Sequence, residues 1–336
     1  MVLITASKTV AYHFCRLFDY PLIKPFNLTI SVTDNCNSEC KTCNIWKNDA
    51  KDLSVNVWKK MLRSVGRWPY WITFSGGEPF LRKDLLEIFQ HVTSICRPKI
   101  VTIATNGMCD DISRQVKKMK EIYKKDLIIN FSIDGVKPIH EKMRGIKCFD
   151  KVIGNYNEVK DIEGVTVGMH AVLSKHNIDR LDDIIKLAEE LAPDSFVCQI
   201  AEHRKELNNI GLDIIPDEKQ IKNAMETLIS YKRKAEGISR LTKALRKRYY
   251  WLQKKGKALP CYAGLASVQI SSQGDVWACC VNCESMGNLQ KDSFKNIWKG
   301  KKASKIRKRI KQQKCSCRMA NACYTNVICD PIRAFL

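Results

Sequence analysis

From Leu28 to Ile200 the chain alternates between two hydrophobic periods, and this alternation limits the fold more than any other feature. Short runs rich in β-branched and aromatic residues read as strands: LTISVT (28–33), YWITF (70–74), KIVTIAT (99–105), LIINFSI (127–133), VTVGMHAVL (165–173) and SFVCQI (195–200). Between them apolar residues recur at helical spacing over Val55–Val65, Lys83–Thr93, Asp111–Tyr123, Asp150–Val159 and Ile178–Leu191, with Asp179 as a start for the last. Six strands alternating with five helices predict a parallel α/β domain, either an open doubly wound sheet or a partial barrel. In both, functional residues belong in the loops after the strand C-termini.

The chain has 336 residues, enough for one large domain and a small one, and 45% hydrophobic residues can fill a core. No apolar run is long enough to span a membrane and the first twenty residues lack a signal-peptide layout, so a cytoplasmic protein is expected. Before Pro21, Val10, Phe14, Leu17 and Phe18 share one face of a short amphipathic helix, whose packing on the barrel is preferred to membrane contact. Pro216–Lys255 reads as one or two basic helices, and the composition changes at Pro260. The expected units are 1–26, 27–255 and 256–336. The net charge is +22, concentrated in Lys232–Lys257 and Lys299–Lys314. Such an excess favours an anionic partner: a phospholipid surface, nucleic acid, acidic protein or acidic substrate.

Sixteen cysteines in a reducing compartment call for a reason other than disulfides. Cys15, Cys96, Cys109, Cys148 and Cys198 are scattered and read as small buried hydrophobes. Cys36, Cys40 and Cys43 instead form CxxxCxxC directly after the first strand, and eight more crowd the last quarter. Three thiolates from one loop can cap three irons of a cubane and leave the fourth open. Zinc is the main competitor, but no fourth Cys or His follows before His91.

The loops after the next strands decide between them. Ser75-Gly76-Gly77-Glu78-Pro79 follows the second strand, Thr105-Asn106-Gly107 the third and Ser132-Ile133-Asp134-Gly135 the fourth. His140-Glu141-Lys142-Met143-Arg144-Gly145 comes next, and Ser174 and Asn177 end the fifth strand. From about residue 27 to 199 these motifs resemble the radical S-adenosylmethionine (radical SAM) superfamily, whose fold is a partial (β/α)6 TIM-like barrel. The resemblance implies a [4Fe–4S] cluster on Cys36, Cys40 and Cys43. It implies S-adenosylmethionine held near Gly76, Gly77, Glu78, Asn106, Ser132, Asp134 and Ser174, with Arg144 for the methionyl carboxylate. A one-electron reductant of flavodoxin or ferredoxin type would drive cleavage to a 5′-deoxyadenosyl radical, which takes hydrogen from an unactivated carbon. One residue departs from the pattern: Thr42 stands where relatives often carry an aromatic for adenine, leaving Ile45 and Trp46 to supply apolar surface.

Cys261, twelve residues, Gly274, four residues and Cys279 resemble the opening of the SPASM or twitch auxiliary-cluster domain. The segment 267–278 would be a hairpin turning at Ser272-Gln273-Gly274. The tail departs from the full pattern, so the resemblance implies one auxiliary [4Fe–4S] cluster on Cys261, Cys279 and two of Cys315, Cys317 and Cys323. A second, using Cys329 with Cys280 or Cys283, is the alternative. The function expected is radical chemistry on an anionic, membrane-associated molecule: a lipid or its headgroup, or a phosphorylated or nucleotide-linked sugar. Peptide maturation is the runner-up, but it would call for a winged-helix domain before the barrel, and 26 residues are too few. RNA modification comes third, as aromatics interleave with charge only at Tyr249-Tyr250-Trp251. An Fe–S electron carrier or zinc-stapled nucleic-acid binder would leave the glycine-rich loops without a task.

Overall fold

The computed structural model describes residues 6–18, 20–49, 51–231, 260–312 and 319–330. Strands β1 (Asn27–Thr33), β2 (Trp71–Gly76), β3 (Ile100–Thr105), β4 (Asp126–Ser132), β5 (Val165–Leu173) and β6 (Ser195–Ile200) lie side by side in chain order, all parallel. A doubly wound sheet reverses its order at a switch point. This sheet does not, so the partial (β/α)6 barrel is the correct alternative.

Helices α2 (Val55–Val65), α3 (Leu85–His91), α4 (Ile112–Ile122), α5 (Lys137–Arg144), α6 (Phe149–Lys160) and α7 (Leu181–Leu191) connect the strands. Each buries one stripe. In α2 it is Trp58, Met61, Leu62 and Val65, the spacing of a single helical face. Two details differ from the sequence reading. The His140–Gly145 motif lies on a helix of its own, α5, and α7 begins after a 3₁₀ turn (Ile178–Arg180), where Asp179 instead accepts hydrogen bonds from Gln220.

The C-terminal segment adds itself to the barrel sheet. Strand β7 (Ser267–Ile270) pairs parallel with β1, and β8 (Asp275–Trp277) and β9 (Ser285–Asn288) continue antiparallel, giving nine strands in one sheet. The expected hairpin is present; Gly274 closes its turn at φ +82°, with its N–H on Ser271 O at 3.0 Å. One apolar row, Ile270–Ile30–Phe74–Ile103–Ile129–Val167, crosses both parts at 0–1% exposure. The boundary expected near 255 lies outside the described residues, as does the basic run 232–257 beyond α8 (Glu218–Ser230).

Helices α9 (Phe294–Lys299), α10 (Lys301–Gln312) and α11 (Ala320–Cys329) complete the chain. The N-terminal α1 (Ala6–Leu17) packs Tyr12 and Cys15 inward, in an apolar cluster with Phe26, Tyr262 and Cys329. Its other face, Val10, Phe14 and Leu17 with Phe18 beyond the helix end, stays 44–66% exposed. Among the described residues no helix is long and apolar enough to cross a membrane.

Candidate active site

At the C-terminal end of β1 the chain turns into the cysteine loop, and β2 delivers the glycines that shape it. A Cβ on Gly76 would stand 2.1 Å from Thr33 O, and one on Gly77 2.1 Å from Asn35 O. Only glycine admits so close an approach. Backbone bonds lock the two loops: Gly77 N–H donates to Thr33 O at 2.8 Å and Glu78 N–H to Asn35 O at 2.8 Å. Glu78 is fully buried, and its carboxylate accepts from Phe80 N–H, Thr105 Oγ1 and Asn106 N–H. What Glu78 offers the site is position. It ties the glycine loop to the end of β3, where Asn106 Nδ2 donates to Asn37 Oδ1 at 2.7 Å and lies 3.9 Å from Cys36 Sγ.

Cys36, Cys40 and Cys43 are half-buried and near enough to feel one another's charge. Burial pushes the Cys36 thiol up to about 11 and Cys43 to about 12. The rest of the loop is clamped to α5: Glu39 N–H donates to Arg144 O and Lys41 N–H to Met143 O. Arg144 is 9% exposed, pairs with Asp134 Oδ2 at 2.8 Å, donates to Ser132 O and reaches Cys40 Sγ at 3.6 Å. Its Nε is buried and finds no partner among the described residues. Asp134 Oδ1 accepts Val172 N–H, and Asn177 Nδ2 bridges Asp134 O and Val172 O, so β4 and β5 end in one polar network. Ser174 is fully buried, its hydroxyl taken up by Asn177 and His176 N–H. Ile45 turns inward at 4% exposure, leaving only half-buried Trp46 to present apolar surface. The donor set suits the expected group: three sulfurs on one loop, two glycine backbones against it, and a buried guanidinium edge for a carboxylate.

A second group gathers Cys279, Cys280 and Cys283 on the loop after β8. The Cys279 thiol is pulled down, first by a hydrogen bond from Cys280, then by the Val281 and Asn282 N–H groups and the charge of Arg204. Cys280 Sγ also lies 3.4 Å from Sδ of Met319, which caps the helix bearing Cys323. Cys261 and Cys323 are half-buried; Cys315 and Cys317 lie outside the described residues. Cys329 is not part of this group. At 1% exposure it packs in the apolar cluster against α1, apart from Cys280 and Cys283. The five scattered cysteines are buried, as expected.

Between the two groups runs a segment that sequence reasoning passed over. After β6, Arg204 pairs with Glu206, their side chains 18% and 6% exposed. Its charge lowers the thiol pKa of both Cys43 and Cys279, so it stands within electrostatic reach of each group. Arg204 Nε is buried without a partner among the described residues. Gln269 Nε2 bridges Glu206 and Ser31 Oγ, Lys205 N–H donates to Val281 O, and Asn209 Nδ2 holds Thr42 O at 2.8 Å. The signal was available: a charged run, Glu202-His203-Arg204-Lys205-Glu206, directly after a strand C-terminus.

The comparisons with known proteins agree with this geometry. The radical SAM superfamily pattern matches residues 30–188, and the SPASM iron–sulfur cluster-binding domain matches residues 261–324. An Fe-coproporphyrin III synthase of Methanosarcina barkeri is 30% identical over 166 residues, 48% of this chain and 40% of that protein. A probable GTP 3′,8-cyclase of Sulfurisphaera tokodaii is 29% identical over 229 residues, 67% of this chain and 69% of that protein. Among solved structures, anSMEcpe with bound AdoMet shares the fold at TM-score 0.65 and 20% identity, covering 93% of this chain and 96% of that one. Streptococcus suis SuiB does so at TM-score 0.65 and 20% identity, over 90% and 72%. With sequential parallel strands, a CxxxCxxC loop locked to a glycine-rich turn and a hairpin flanked by Cys261 and Cys279 on the same sheet, the two domain matches show that the chain belongs to the radical SAM enzymes and carries a C-terminal SPASM domain.

Proposed function

We propose that this enzyme abstracts hydrogen from an anionic substrate held between its two cysteine groups, a lipid headgroup or a phosphorylated or nucleotide-linked sugar. The observation that carries the reading is Arg204: a largely buried guanidinium whose Nε has no partner among the described residues, within electrostatic reach of Cys43 on one side and Cys279 on the other. A buried donor without a partner costs about 1–3 kcal/mol, a cost that a carboxylate or phosphate would remove. Glu206 and Gln269 hold it in place through hydrogen bonds that reach Ser31. The S. tokodaii relative is itself named for an anionic substrate, GTP.

Cys36, Cys40 and Cys43 would hold the reactive [4Fe–4S] cluster, and Cys261, Cys279 and two of Cys315, Cys317 and Cys323 an auxiliary one. With S-adenosylmethionine bound, the reactive centre supplies a 5′-deoxyadenosyl radical. The protein's own work is to orient and enclose. Arg144 would present a cationic edge to the methionyl carboxylate, and Gly76 and Gly77 let their loop lie against Thr33 and Asn35, where any side chain would push the cysteine loop away. Asn106 and Asn37 brace the rim at Cys36, and Asp134 keeps Arg144 aimed. A flavodoxin- or ferredoxin-type protein is the proposed reductant.

Replacing Cys36, Cys40 and Cys43 together by Ala is expected to remove about four irons and abolish 5′-deoxyadenosine formation while the C-terminal cluster stays. Undiminished 5′-deoxyadenosine from the reconstituted triple variant would overturn this assignment.

A further inference from the structure

Helix α1 buries Tyr12 and Cys15 and turns Val10, Phe14 and Leu17 to solvent, and Phe18, Tyr20 and Leu22 extend the apolar surface to six residues at 44–66% exposure. Phe14 and Phe18 stack at 6.0 Å, so the stripe is contiguous at this pair. A monomeric soluble protein rarely exposes such a contiguous patch without a use for it. Beside its end lies α10, whose Lys311 Nζ donates to Leu17 O at 2.9 Å. Lys301, Lys302, Lys305 and Lys308 of α10 are exposed, whereas Arg307 is turned inward onto Gly264 O and Trp298 O. Neither α1 nor α10 contains an acidic residue.

We propose that the outward stripe of α1 and the lysines of α10 form a docking surface for an anionic phospholipid bilayer. An apolar face flanked by cations meets both layers of such a surface, acyl boundary and phosphate. A second copy of the chain fits less well, because a two-fold contact through this face would bring the same lysines together. The proposal extends the reading of a lipid-borne substrate, yet its test is independent of catalysis.

The reconstituted full chain is mixed with vesicles of phosphatidylglycerol and phosphatidylcholine, or of phosphatidylcholine alone, and sedimented. It is expected to follow the mixed vesicles only, and to be released as salt shortens the Debye length from about 10 Å at 0.1 M to about 3 Å at 1 M. Phe14→Ser with Leu17→Ser and Phe18→Ser should weaken binding more than about tenfold. Lys305→Gln and Lys308→Gln should each weaken it roughly fivefold. Phe14→Trp, a mild change, should show blue-shifted fluorescence with mixed vesicles, and an unshifted spectrum would overturn the proposal even if the triple variant misfolds. So would absence of sedimentation, undiminished binding by the triple variant, or a dimer that the triple variant dissociates. Iron content and 5′-deoxyadenosine formation, followed in the same samples, report separately on the catalytic reading.

Discussion

Glu78 and His140 are both fully buried, and burial displaces them toward the same neutral state from opposite sides. Burial lifts the Glu78 carboxyl from its ordinary 4.5 to about 7, against the hydrogen bonds it accepts. Burial, then the charge of Arg144, lowers His140 from 6.5 to about 4. A raised acid favours the fold fully below its unfolded value, and that contribution is lost as pH climbs from about 4.5 to about 7. A depressed histidine contributes fully above about 6.5, and that is lost as pH falls toward about 4. Each displacement corresponds to on the order of 3 kcal/mol. His140→Gln should therefore remove the acid-side loss of stability, read as a flatter dependence of the denaturant midpoint on pH. Glu78→Gln should flatten the opposite slope, while leaving one amide donor facing another at a cost of about 1–3 kcal/mol. An unchanged pH profile in both variants would contradict these assignments. Cys279 offers a third test at this scale. In metal-free protein it should alkylate ahead of the other thiols near neutral pH, and Cys280→Ala should slow it by removing its principal hydrogen-bond donor.

Elements meet at the site through backbone contacts that tolerate no side chain. Alanine at Gly77 would drive a Cβ into Asn35 O of the cysteine loop, whereas at Gly154, inside α6, a Cβ meets nothing within 4 Å. The two substitutions should therefore have opposite signs. Gly77→Ala is expected to cost about 1–3 kcal/mol and to lower iron uptake by the loop. Gly154→Ala should add about 0.5–1 kcal/mol, because glycine loses more freedom than alanine in a helix. Thermal unfolding and iron analysis of the pair check both; equal effects would mean that the loop yields where the backbone distance says it cannot. The joining of β7 to β1 belongs to this scale as well. It covers what would otherwise be an exposed barrel edge, so the C-terminal hairpin protects the strand that carries the reactive loop.

For the whole molecule, iron content tests the proposed ligand set. With one auxiliary cluster, and Cys329 left in its apolar cluster with Tyr12 and Tyr262, the count expected is about eight irons per chain rather than about twelve. Cys329→Ala should leave iron unchanged and lower stability modestly, by about 1 kcal/mol for a small cavity. Loss of about four irons would refute this count.

Much of this protein was legible before any coordinates. Periodicity is local, so alternating runs revealed the strands and helices of the barrel, and the close spacing of Cys36, Cys40 and Cys43 revealed one loop. The glycines of the second loop were equally readable, because backbone approach excludes other residues. What the chain order did not disclose was pairing at a distance. Ile30 against Ile270, Arg204 between Cys43 and Cys279, and Lys311 on Leu17 each join segments far apart in sequence. Cys280 and Cys329 look alike as cysteines, and only tertiary packing sets one beside Met319 near Arg204 and the other in an apolar cluster. Side-chain chemistry and period determine which local structures can form, but the burial of one face against another decides which of them meet, and that selection belongs to the folded chain as a whole.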